Sequence, residues 1–163
     1  MSSSYSLCLL VLLPLALISS SHEKLHASCK IHWKWSLNCT TVNELIISQI
    51  KAWNGEKGCD QGGEKCLYNL KESSPDMIKA THETPKKHYV DDLTFNFTKS
   101  SEGCAVEGFS TSEVWYAVLD YGTNYCNLHN LITGSKLDKA AGYVEETSDS
   151  ICTQYSSRNC DKY

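Results

Sequence analysis

Between Thr41 and Trp53 the residues Val42, Leu45, Ile46, Gln49, Ile50 and Trp53 recur at three- and four-residue steps, and this spacing predicts an amphipathic helix. Thr41-x-x-Glu44 supplies a capping box at its start and Asn54-Gly55 ends it, with Asn43, Ser48 and Lys51 expected on the solvent side. From Cys66 onward the period shortens to two. Strands are predicted at Lys65–Leu70, Met77–His82, His88–Thr98, Cys104–Phe109, Glu113–Asp120 and Tyr125–Ile132, with a further short strand around Tyr143–Glu146. The breaks between them are short and rich in Ser, Pro, Gly and Asn, which makes sequence neighbours antiparallel.

Two of these strands say more. In Leu93–Thr98 the large apolar side chains share one face, while Thr94, Asn96 and Thr98 form a wet one. In Val114–Leu119 both faces are apolar, with Trp115, Ala117 and Leu119 on one side and Val114, Tyr116 and Val118 on the other. A single helix covers only one such face. The expected fold is therefore α+β: one N-terminal helix packed on an antiparallel meander of five to six strands, as an open sheet or a small barrel, tied by disulfides. The tryptophan-bearing segment Ile31–Ser36 precedes the helix, and the helix and tail offer few large aliphatic side chains to fill a second interior.

Composition narrows the class. Of 163 residues, 41% are hydrophobic and 21% charged, enough apolar material for one core. Fifteen Lys and Arg stand against 19 Asp and Glu, and Arg158 is the only arginine. Without a basic stripe the chain is not built for a phosphate backbone, and its acidity disfavours an anchor on anionic lipid.

The run from Leu7 to Ile18 is apolar, broken only by Pro14, and turns polar at Ser19-Ser20-Ser21-His22. It is too short for a membrane span of roughly 20 residues and reads as a signal peptide over residues 1–21, leaving residues 22–163 as a single secreted, disulfide-rich domain. Its removal takes Cys8 and leaves Cys29, Cys39, Cys59, Cys66, Cys104, Cys126, Cys152 and Cys160. An even set in an oxidising compartment predicts four disulfides. Cys59 and Cys66 are placed to close a short turn, and Cys152 and Cys160 to close the tail. Cys104 and Cys126 are expected apart, on strands separated by Glu113–Asp120. No Cys-x-x-Cys pair occurs, so no metal site and no cofactor are expected.

Asn38-Cys39-Thr40 and Asn96-Phe97-Thr98 are N-glycosylation sequons, which makes Asn38 and Asn96 candidate glycan sites. Asn124-Tyr125-Cys126 is the rarer cysteine form. Catalytic signatures are scarce: no Gly-x-Ser-x-Gly, glycine-rich phosphate loop or His-Glu-x-x-His is present. The available acids and bases are His82, His88, Asp91, Asp92, His129, Glu145 and Glu146. His82 and His88 flank a predicted hairpin turn and are read as two exposed histidines; Asp91 and Asp92 point to opposite strand faces and are read as a solvated or edge pair. His22, His26 and His32 would capture copper or zinc if their arm folded back, and are assigned instead to a mobile polar arm.

The segment Val118-Leu-Asp-Tyr-Gly122-Thr-Asn-Tyr125 resembles the Val-x-Gly-Thr-Asn-Tyr hairpin of cystatins, and Asp120-Tyr121 with Tyr125 is similar to an Asp-Tyr-x-x-Tyr strand motif of lipocalins. The cystatin Gln-x-Val-x-Gly and the lipocalin Gly-x-Trp are both absent, and no family is assigned. The aromatic strands instead suggest recognition, with Phe95, Phe97, Trp115, Tyr116 and Leu128 as candidate ligand-binding residues. The functional expectation is a secreted, non-enzymatic binding protein for a small apolar ligand or an extracellular protein partner. The alternatives are a secreted protease inhibitor or defence protein acting through an exposed hairpin, and a small hydrolase using His82 or His88.

Overall fold

Every second residue of Ser28–Trp35 is large and apolar, and in the computed structural model, which describes residues 26–59, 62–113 and 119–163, this tryptophan-bearing segment is the first strand, β1. Helix α1 (Cys39–Ala52) follows. Then come β2 (Tyr68–Ser74), β3 (Met77–Glu83), β4 (Val90–Ser100) and β5 (Gly103–Ser112). A second helix, α2 (Thr123–Gly134), and a short strand, β6 (Val144–Glu146), complete the elements that position the site.

The strands form one six-stranded antiparallel open sheet in the order β2-β3-β4-β5-β1-β6. β2 to β5 are the expected meander, and β1 returns along β5 from Ser28 opposite Thr111 to Trp35 opposite Cys104. Both helices lie on one face, α1 over β2 to β5 and α2 over β1, β4 and β5. Between them Ile31, Trp33, Leu93 and Phe95 meet Val42, Ile46, Ile50, Leu128 and Leu131 in a closed core. The other sheet face carries Thr94, Asn96, Glu107 and Lys79 and is wet, as the alternation in Leu93–Thr98 requires.

Several expectations change. The helix does start near Thr41, but its cap is Asn38, whose Oδ1 accepts the Thr41 amide at 2.9 Å. Asn43 faces inward rather than to solvent, its side-chain amide donating to the Ser74 carbonyl at 3.0 Å, and Leu45 is exposed.

Tyr125–Ile132, read as a strand, lies within α2. Tyr125, Leu128, Leu131 and Ile132 stand three and four apart and are all buried. The helix was hidden by asparagine, a poor helix former, at 124, 127 and 130. These fall once per turn on the buried side and are held by tertiary hydrogen bonds. Ser110 donates to Asn124 at 2.6 Å, Asn127 donates to Asp91 at 2.6 Å, and Asn130 donates to the Tyr163 carbonyl at 2.8 Å. Tertiary satisfaction thus overrides local propensity. With α2 present the core receives the aliphatic side chains it had been expected to lack. The strand expected at Glu113–Asp120 is not formed at its described ends, since β5 stops at Ser112 and Leu119 and Asp120 are irregular; residues 114–118 lie outside the described residues.

All eight expected cysteines are paired. Cys59–Cys66 closes its short loop as expected, and Cys104 joins Cys39 rather than Cys126. The expected Cys152–Cys160 closure does not occur. Cys152 bonds Cys29 on β1 and Cys160 bonds Cys126 on α2, so the tail is fastened to both layers. The Cys29–Cys152 link spans 123 residues, for which chain-entropy arguments give about 5 kcal/mol. No helix among the described residues is long and apolar enough to cross a membrane.

Candidate ligand site

At the end of the sheet where β3 and β5 finish and β4 begins, turns from distant parts of the chain line a solvent-open cavity of about 850 Å³. Its apolar wall is Pro85, Tyr89, Leu119, Tyr121 and Tyr163. Tyr89 is set by the β3–β4 turn, closed by Thr84, whose amide donates to the Tyr89 carbonyl at 2.9 Å and whose hydroxyl accepts the Tyr89 amide at 3.0 Å. Tyr121 is held by Gln154, whose side-chain oxygen accepts the amides of Asp120 and Tyr121 at 2.9 and 2.7 Å. The next residue, Gly122, has φ +77°, and a Cβ there would stand 2.7 Å from Arg158 Cα, so glycine is required twice over. Asp120 then seals the start of α2, accepting the amides of Gly122 and Asn124 at 3.1 and 3.0 Å.

The floor is different in kind. Asp91 is buried and accepts from Asn127 at 2.6 Å. Burial pushes its carboxyl above the ordinary range, and hydrogen bonds from Asn127 and Ser112 oppose the rise. Glu64 is pushed up by burial too, with Lys162 and Lys86 opposing and Asp91 reinforcing. Its Oε2 is buried and has no hydrogen-bond partner. Neither carboxylate makes an ion pair among the described residues. Lys86, Lys87 and Lys162 stand exposed around the rim.

His82 lies beneath this floor, and its neighbours exclude the exposed role expected of it. Its ring packs 4.3 Å from that of Tyr68, and Nε2 donates to the Glu64 carbonyl at 2.8 Å. Burial pulls it down to about 4, so it is neutral. His88 occupies the exposed turn at φ +56° and pairs with Glu83 at 2.6 Å. The two histidines do not meet. Asp91 and Asp92 do lie on opposite faces, but only Asp92 is solvated.

Of the residues expected to bind ligand, Phe95, Phe97 and Leu128 are buried in the closed core and do not line the cavity; Trp115 and Tyr116 lie outside the described residues. Asn38 and Asn96 are both exposed. No group of three or more potential metal ligands occurs among the described residues; His32 belongs not to a mobile arm but to β1, paired opposite Glu107 and Glu146 and 3.9 Å from the Glu107 carboxylate, and His22 is outside the described residues. The cavity aromatics escaped sequence reasoning, although Tyr89 directly after Lys86-Lys87-His88 was a signal: a large ring inside a polar turn has no core to join.

A second polar cluster sits across α2. Glu145 on β6 accepts Tyr125 Oη at 2.6 Å, Trp33 Nε1 at 2.8 Å, His129 Nδ1 at 2.9 Å and Tyr143 Oη at 2.9 Å. Burial raises its carboxyl, but the bonds from His129, Tyr125 and Trp33 outweigh that and hold it at about 2. These four donors come from α2, β1 and the approach to β6, so one carboxylate joins the sheet edge to the helix layer. None of these residues lines the cavity. Their hydrogen bonds account for them structurally.

No protein-family model matches the chain, and no curated protein matches it. The functional reading rests on the site itself.

Proposed function

We propose that this is a secreted, non-enzymatic binding protein that holds a small, largely apolar molecule in the cavity walled by Tyr89, Leu119, Tyr121 and Tyr163. One observation carries the reading. Six large hydrophobic side chains are exposed among the described residues, and three of them, Tyr89, Leu119 and Tyr121, converge on this one cavity. Scattered exposed apolar residues are ordinary, whereas a concave cluster is what ligand sites use. The volume lies within the roughly 300–1,000 Å³ of small-molecule sites. The four disulfides and the segment 1–21 support export, and Asn38 and Asn96 are read as glycan sites on the exported chain.

The test is titration of the folded, oxidised protein with the neutral fluorescent probe N-phenyl-1-naphthylamine. Saturable one-site binding is expected, weakened by Leu119→Ser and by Tyr121→Ser, each about tenfold, the scale of losing one well-buried apolar contact. Binding that is absent, or indifferent to both substitutions, would remove the cavity as the site.

A further inference from the structure

Glu64 and Asp91 both line the cavity, and the inference they carry deepens the reading above, on which it rests. We infer that the natural ligand carries a protonated amine, which enters ahead of its apolar body and pairs with Glu64 and Asp91. Three observations converge on this chemistry. The carboxylates lie at the floor, one in a buried residue and the other with a buried, unpartnered Oε2, and no cation of the described chain pairs with either. The nearest candidate, Lys162, is exposed and donates instead to Tyr163 Oη at 2.7 Å. The walls supply tyrosine rings 89 and 121, whose faces attract a cation that has left water, while the Tyr163 ring already holds the Lys162 ammonium 4.4 Å from its centre.

An anionic ligand fits less well, for two reasons. The rim lysines are exposed to solvent on long stems. The amides that open α2, the other natural seat for an anion beside the cavity, are already held by Asp120, whose carboxylate accepts Gly122 and Asn124. A ligand ammonium would also relieve the repulsion between Glu64 and Asp91.

Competition against bound N-phenyl-1-naphthylamine at neutral pH, using 4-phenylbutylamine, 4-phenyl-1-butanol and 4-phenylbutyrate, separates the possibilities. The expected result is displacement by the amine at a concentration about tenfold or more below that of the alcohol, the scale of one charge-assisted hydrogen bond, with the carboxylate weakest. Glu64→Gln should bring the amine and alcohol close to parity, read as the ratio of their displacing concentrations on that variant with its own probe affinity measured. Asp91→Asn should do the same; if it fails to fold, the wild-type ratio and Glu64→Gln decide. Equal displacement by amine and alcohol, or preference for the carboxylate, overturns the inference while leaving the apolar site intact. If the probe itself does not bind, both readings fail together.

Discussion

The indole of Trp33 lies directly on the backbone of Gly108, so close that a Cβ on Gly108 would stand 2.4 Å from ring atom Cζ3. Trp33 on β1 and Gly108 on β5 belong to neighbouring strands, and the ring reaches over the gap to stack near Trp35 and Phe95 at 6.2 Å each. The glycine is needed for space. Gly108→Ala is therefore expected to destabilise the fold by about 1–3 kcal/mol through overpacking. Urea denaturation measures it, and combining the change with Trp33→Leu should recover part of the loss. Additive losses in the double variant would show that the two positions are uncoupled.

His82 gives the stability of the protein a specific dependence on pH. Its ordinary value is 6.5, and burial lowers it to about 4 in the folded chain. Between those values the unfolded chain binds a proton that the folded chain refuses, so stability falls as pH drops from 6.5 toward 4, by up to roughly 3 kcal/mol. Asp91 and Glu64 act in the opposite sense, since their folded values are raised and their contribution fades as pH rises. The comparison that isolates His82 is the difference in denaturation free energy between wild type and His82→Gln across this window. A difference that does not change with pH would contradict the buried neutral imidazole.

The meander from β2 to β5 was legible because alternation survives wherever one sheet face is wet, as Leu93–Thr98 shows. The second helix was not legible, because Asn124, Asn127 and Asn130 each serve a partner distant in sequence: Ser110, Asp91 and Tyr163. A residue whose stabilising bond is tertiary carries no local signal of it. The cavity was hidden for a related reason. Tyr89, Tyr121 and Tyr163 meet only after the sheet register, the Gln154 contacts and the Cys126–Cys160 bond have brought three turns together. The eight paired cysteines were plain from their even number once Cys8 is set aside, while their pairing depended on the tail crossing both layers.

Glu145 concentrates four donors on one carboxylate, and its removal should be costly. In Glu145→Gln an amide NH₂ replaces one acceptor oxygen and faces donors from Trp33, Tyr125, Tyr143 or His129. A loss of about 2–4 kcal/mol is expected near neutral pH, the range for disrupting a buried charged network. The acid limb supplies the second check. The carboxyl is lowered from 4.5 to about 2, so its contribution is complete above 4.5 and disappears as pH falls toward 2. The gap between wild type and variant should narrow across that range; a constant gap would mean that the carboxylate charge is not what the donors hold.

Asn38 caps α1 with one side-chain atom and leaves the other free for the glycan its sequon predicts. Oδ1 accepts the Thr41 amide at 2.9 Å and so caps α1, while Nδ2 is the atom to which a glycan would be joined. The residue is exposed, and its sequon is completed by exposed Thr40. Capping and glycosylation are thus compatible at one position, and three variants expressed through a secretory pathway separate them. Thr40→Val removes the sequon and keeps the cap, so one glycan mass should disappear from the chain while the helix retains its start. Asn38→Asp also removes the glycan and keeps an acceptor oxygen, with a negative charge favourable at a helix N-terminus, and should be at least as stable as Thr40→Val. Asn38→Ala loses both and should fall below Thr40→Val by about 1 kcal/mol. Equal stability of Asn38→Ala and Thr40→Val would show that the Oδ1 bond contributes nothing, and an unchanged mass in all three would show that Asn38 carries no glycan.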